Sequence, residues 1–147
     1  MKQRFLFVAS AFLLALTLAA CGRTGEENTA PGGKTANAVQ VTETDFKIAS
    51  SVTSFSPGVT YHFVITNKGQ TSHEFMIMPK SEGSMSGMPM SNMDKMALAS
   101  IDSIAPGETK TLDYTFPATA ANSHPEFACY LPGHYEAGMK QDVTIKK

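Results

Sequence analysis

The chain has no tryptophan, two cysteines and four histidines among its 147 residues. Without tryptophan, core bulk must come from Phe, Tyr, Ile and Leu. Charge of one sign is also missing, with 12 basic against 13 acidic side chains. No basic stripe runs along the chain, which excludes a nucleic-acid binder of the usual electrostatic kind.

The N-terminus has the layout of a secretory signal. Met1-Lys2-Gln3-Arg4 is basic, Phe5 to Leu18 is apolar except for Ser10 and Thr17, and Leu18-Ala19-Ala20-Cys21 closes the segment. The run is too short for a comfortable membrane span and reads as a cleaved signal over 1–20. Cys at the cleavage point after Leu and two small residues resembles the bacterial lipobox, which makes Cys21 the lipid-bearing first residue of the mature protein. The expected location is extracytoplasmic, lipid-anchored to a bacterial membrane, in the periplasm or at the cell surface. Removing Lys2 and Arg4 with the signal leaves 10 basic against 13 acidic residues. The remaining Cys129 then has no cysteine partner outside the cytosol, where a free thiol is a liability unless buried or metal-bound.

Residues 21–38 are the lipidated Cys followed by a stretch rich in Gly, Thr, Asn and Glu, broken by Pro31-Gly32-Gly33 and lacking apolar periodicity. This is a flexible tether with a reach of roughly 20 Å. Residues 39–147 are long enough for one core and too short for two. Val39 to Glu43 alternates apolar with polar, Val59 to Ile65 is β-branched and aromatic, and Thr109 to Phe116 alternates again. Turns fall at Pro57-Gly58, Asn67-Lys68-Gly69, Pro106-Gly107 and Pro132-Gly133. The spacing predicts an all-β fold, an antiparallel Greek-key sandwich or barrel, with a final strand near Gln141 to Ile145.

Near the C-terminus one short loop, Cys129-Tyr130-Leu131-Pro132-Gly133-His134-Tyr135-Glu136-Ala137-Gly138-Met139, sets out a thiol, an imidazole and a thioether at equal intervals. His73 opens an earlier apolar strand and adds a second imidazole. A lone Cys is usually a small buried hydrophobe and a late Met usually core. Here Cys, Pro-Gly-His and Gly-Met share one loop. Two His and one Cys with a weak Met form the blue-copper donor set; thiolate and thioether favour Cu(I), while imidazole serves both oxidation states. Zinc prefers four strong ligands. One copper ion is therefore the expected cofactor.

With these residues in hand, the chain resembles the cupredoxins, the type 1 blue copper family of plastocyanin, azurin and auracyanin. The likeness runs from about Val39 to Lys147 and is carried by Phe127-Ala128-Cys129, Pro132-Gly133-His134, Gly138-Met139 and Asn67-Lys68-Gly69 followed by His73. It implies His73, Cys129 and His134 as equatorial ligands and Met139 as the axial one. It further implies that His134 lies nearest solvent, on the path of electrons. Many family members carry Asn directly after the first His, where it pins the Cys loop; this chain has Glu74.

His62, in mid-strand, and His124, before Pro125, read as ordinary strand and turn residues. Four histidines with no His-x-His pair cannot build the centres of multicopper oxidases or copper nitrite reductases, so an enzyme is not expected. The resulting expectation is a monomeric, membrane-tethered carrier that passes single electrons between redox proteins such as cytochromes or a terminal oxidase. The alternative is a copper-delivery lipoprotein using a Met-rich insert at 79–97. Seven of the nine methionines lie between Met76 and Met96. Met85, Met88, Met90, Met93 and Met96 either chelate Cu(I) or pack on the sheet beside a short helix that starts near Ser91 with a Ser91/Asp94 capping box. Both readings stand at this point.

Overall fold

The computed structural model describes residues 37–80 and 88–147. The expected signal segment, Cys21, nearly all of the tether and Met85 lie outside them. Ten strands and one short α-helix follow in order: β1 (Ala38–Thr44), β2 (Lys47–Ser50), β3 (Ser54–Phe55), β4 (Thr60–Asn67), β5 (His73–Met78), α1 (Met90–Met96), β6 (Ala99–Ile104), β7 (Thr109–Thr115), β8 (Glu126–Ala128), β9 (Lys140–Asp142) and β10 (Thr144–Ile145), with a 3-10 turn at Ala118–Ala120 between β7 and β8. One sheet has the order β2-β1-β4-β7, another β6-β5-β8-β9, and β3 pairs with β10.

Alternation makes these strands. In β1, Val39, Val41 and Glu43 are buried between more exposed neighbours, and in β4 so are Tyr61, Phe63, Ile65 and Asn67. Side chains that alternate in this way cover one sheet face and leave the other to solvent. The β-sandwich expected from the pattern is present, with a correction to its strand directions. β1 pairs with β4, and β3 with β10, in parallel rather than antiparallel fashion. β2 and β3 lie between β1 and β4 in the chain and supply the long connection that parallel neighbours need. The expected last strand is also divided: β9 pairs with β8, whereas β10 joins β3.

An aromatic cluster takes the place of tryptophan. Phe55 lies 4.9 Å from Tyr61, 5.2 Å from Phe116 and 5.8 Å from both Phe63 and Phe127, measured between ring centroids. Each such burial contributes on the order of 1.5–3 kcal/mol, enough to hold the sheets as a firm frame.

β5 is buried on both faces. Phe75 and Ile77 enter the main core, while Met76 and Met78 join a second cluster with Met93, Ala128 and Tyr130. Helix α1 supplies Met93, and Met88 packs against the same cluster. The described part of the Met-rich insert thus folds back over the sheet. Its helix begins at Met90 after Pro89 and has no side-chain cap, so the Ser91/Asp94 capping box is absent. The Pro89 carbonyl accepts the Asn92 N–H at 2.9 Å to start the first turn, and packing on β5 and β8 holds so short a helix.

Candidate metal centre

The two halves of the centre arrive from different strands. His73 opens β5, Cys129 directly follows β8, and His134 and Met139 lie on the loop leading to β9. β5 and β8 are paired, Met76 opposite Ala128, which brings the start of one strand beside the end of the other.

The loop closes on itself through its backbone. His134 N–H donates to Leu131 C=O at 2.9 Å, Met139 N–H to His134 C=O at 3.0 Å, and Cys129 N–H to Met139 C=O at 3.1 Å. Gly133 and Gly138, at φ of 83° and 101°, take the left-handed turns this path needs.

The ligating atoms of His73, Cys129 and His134 all lie within 4.8 Å of one another. The two Nδ1 atoms are 3.3 Å apart, and Cys129 Sγ is 3.4 Å from His134 Nδ1. His73, Cys129 and Met139 are fully buried, and His134 is half-buried. Two imidazole nitrogens and a thiol are thus turned toward one another around one point. A cation that accepts all three resolves the arrangement, and the donors are the two-imidazole, one-thiol set that suits copper.

Burial governs the acid–base state of the site. It pushes the Cys129 thiol up to about 11, against backbone N–H donors at Glu74 and Leu131, with the Glu74 and Glu43 carboxylates raising it further. His73 is held below the ordinary imidazole value by burial and by His134, with Asp45 pulling the other way. Metal binding must therefore displace the thiol proton.

Glu74 takes over the pinning role expected of Asn at its position. Its Oε1 accepts the Tyr130 N–H at 2.7 Å and ties the Cys129 loop to β5. Glu43, on an inward position of β1, is fully buried with no partner for either oxygen among the described residues. Burial, and then Glu74, raise its pKa to about 8, so it holds a proton at neutral pH. Tyr130 and Tyr135 stack at 4.4 Å and both donate to Glu126 Oε1, at 2.8 and 3.1 Å.

His62 sits on β4 with its Nδ1 2.6 Å from Asp113 Oδ1, and His124 is an exposed residue before β8; neither joins the centre. Met88 and Met93 belong to the apolar packing on β5 and β8, Met90 opens α1, and Met96 is 38% exposed. Sequence reasoning missed Glu43, Asp45 and Phe46. The alternation of β1 marked position 43 as inward, which made a Glu there the available signal; Asp45 and Phe46 give none without tertiary structure.

No protein-family model matches the chain. It is 32% identical over 120 residues to the copper-resistant cuproprotein CopI of Vibrio cholerae serotype O1, spanning 79% of this chain and 69% of that one. To the CopI of Rubrivivax gelatinosus it is 28% identical over 123 residues, 79% of this chain and 74% of that one. Its structure is similar to dithionite-reduced auracyanin from Roseiflexus castenholzii, with a TM-score of 0.57 and 19% identity over 76% of this chain and 98% of that one. At that identity the likeness establishes the cupredoxin fold. A donor set of two His and one Cys in that fold identifies the cofactor as copper.

Proposed function

Because the chain belongs to the CopI family of copper-resistant cuproproteins, we propose that it is a type 1 copper protein of copper resistance that exchanges single electrons and is not an enzyme. The observation that carries this reading is the convergence of three donor atoms, from His73, Cys129 and His134, within 4.8 Å. Those three are the strong ligands, and Met139, buried in the same core cluster as Cys129, is the weak one. When bound, copper supplies one-electron exchange between its two oxidation states.

The chain's own residues do the rest. Paired strands β5 and β8 hold His73 and Cys129 at nearly fixed positions. Backbone N–H groups at Glu74 and Leu131 favour the thiolate of Cys129 and so tune the potential. His134, the half-buried imidazole, is where electrons enter and leave. The partners are redox proteins such as cytochromes or a terminal oxidase. The protein works as a monomer, extracytoplasmic and tethered to a bacterial membrane through lipid on Cys21.

Copper delivery through Met85, Met88, Met90, Met93 and Met96 is the second reading, favoured by the relatives' copper-resistant naming and by the exposure of Met96. Burial of Met93 in apolar packing weighs against it. The test is to add Cu(II) to the protein and to Cys129→Ser and record visible absorption. An intense thiolate-to-copper charge-transfer band that is lost in the variant supports the type 1 site. Copper bound without that band removes it. Reversible redox cycling with the metal retained favours the electron carrier, and transfer of Cu(I) to a chelator favours delivery.

A further inference from the structure

β1 and β2 are joined by two residues, Asp45 and Phe46, and each side chain meets a different imidazole of the centre. Asp45 Oδ1 lies 3.5 Å from Nε2 of His73. The Phe46 ring meets the His134 ring edge to face, with centroids 5.7 Å apart and planes at 77°.

The Asp45 contact is built from both sides. Its carboxylate accepts the Gln70 N–H at 3.1 and 3.2 Å and the Thr71 hydroxyl at 3.2 Å, which aims it across the loop after β4. Asn67 shapes that loop, donating to Thr71 C=O and Ile104 C=O at 2.8 Å each and accepting the Gly69 N–H at 2.8 Å. Gly69 clears the space. A Cβ there would lie 2.5 Å from Asp45 Oδ1 and 2.7 Å from His73 Nε2, so any side chain at 69 would wedge the two apart. His73 Nε2 is buried and makes no hydrogen bond among the described residues, and the Asp45 carboxylate is the negative charge set beside it.

Phe46 is as specific in its own way. It has φ of 66° and is 52% exposed. Turns favour glycine at such a conformation, and a bulky residue there costs on the order of 1–3 kcal/mol. Core burial does not explain a phenylalanine at this position; contact with His134 does.

We propose that the Asp45–Phe46 turn positions both imidazoles for copper: Asp45 keeps the His73 proton on Nε2 so that Nδ1 faces the ion bare, and Phe46 braces the His134 ring. The opposite tautomer would set a bare Nε2 lone pair against a carboxylate and put a proton on the Nδ1 that faces Cys129 and His134. A carboxylate behind a metal-bound imidazole also raises its basicity, and its negative charge favours Cu(II) over Cu(I). Asp45 is a positioning residue, acting through His73.

The copper consequences rest on the type 1 reading above; the tautomer does not. Nitrogen-15 NMR of the copper-free full-length protein, at a pH where His73 is neutral, is expected to show the proton on Nε2. Finding it on Nδ1 overturns the proposal before any variant is made. Asp45→Asn keeps an acceptor oxygen but removes the charge. It should retain the tautomer and raise the reduction potential of the copper-loaded protein. Asp45→Ala should mix the tautomers and weaken copper binding about 10- to 100-fold. An unchanged potential in Asp45→Asn with an intact charge-transfer band overturns the electrostatic half. If the native protein shows no such band, the type 1 reading fails alone, and the tautomer still decides the positioning.

Discussion

Sulfur gathers in two places in this molecule. At the end of β8, Cys129 and Met139 share one loop with His134, and His73 reaches them from β5. On the outer face of β5 and β8, Met76, Met78 and Met93 lie buried with Ala128 and Tyr130, and Met88 packs against them. Both groups are closely spaced in sequence, and spacing alone allows either to chelate a soft ion. The first combines sulfur with imidazole in a hydrogen-bonded loop. The second is thioether among apolar and aromatic side chains, where methionine fills irregular gaps well. Close spacing thus points to a metal centre where donors of different chemistry, brought in by separate parts of the chain, converge within 4.8 Å.

The sharpest break of this comparison is Cys129→Ser. It should abolish the charge-transfer band and weaken copper binding by more than the roughly 100-fold typical of losing a supporting residue, measured by competition with a copper chelator. Met78→Ala should do the reverse: copper absorption stays, while stability to chemical denaturation falls by about 2–5 kcal/mol, as for buried Met truncated in a core. Loss of the copper spectrum in Met78→Ala would erase the distinction between the two sites.

Glu43 sharpens the copper end by a different measurement. Its pKa is raised from 4.5 to about 8, so in the copper-free protein the folded state keeps a proton that the unfolded chain gives up. Stability should therefore be greatest in this respect below pH 4.5 and fall as pH rises toward 8, by at most about 1.4 kcal/mol per pH unit. Glu43→Gln should flatten that slope in urea titrations at several pH values. The smallest effect belongs to Met96→Ser, on the exposed end of α1, with a stability change within about 0.5 kcal/mol. A marked fall in Cu(I) binding in that variant would revive copper delivery through the Met-rich segment.

How far the sequence was legible can be followed strand by strand. β1, β4 and β7 were visible because alternation is a local consequence of sheet geometry. The direction of β1 against β4 was not, since pairing depends on where the intervening chain returns. Three of the four expected ligands share one loop, and local spacing revealed them. The opening of a distant apolar strand by His73 completed the set. Glu74 could be read as a departure from its family but not as a working substitute, because its 2.7 Å bond to Tyr130 N–H exists only when β5 and β8 pair.

By itself the sequence determined the donor chemistry, the sandwich class and the loop that carries Cys129, His134 and Met139, since each depends on residue type and short-range spacing. Tertiary structure alone decided that Met88 and Met93 pack rather than remain free, that Glu43 is buried with no side-chain partner among the described residues, and that Asp45 and Phe46 face the two imidazoles. Those outcomes depend on which strands and loops become neighbours in space, and the packing of the whole chain sets that.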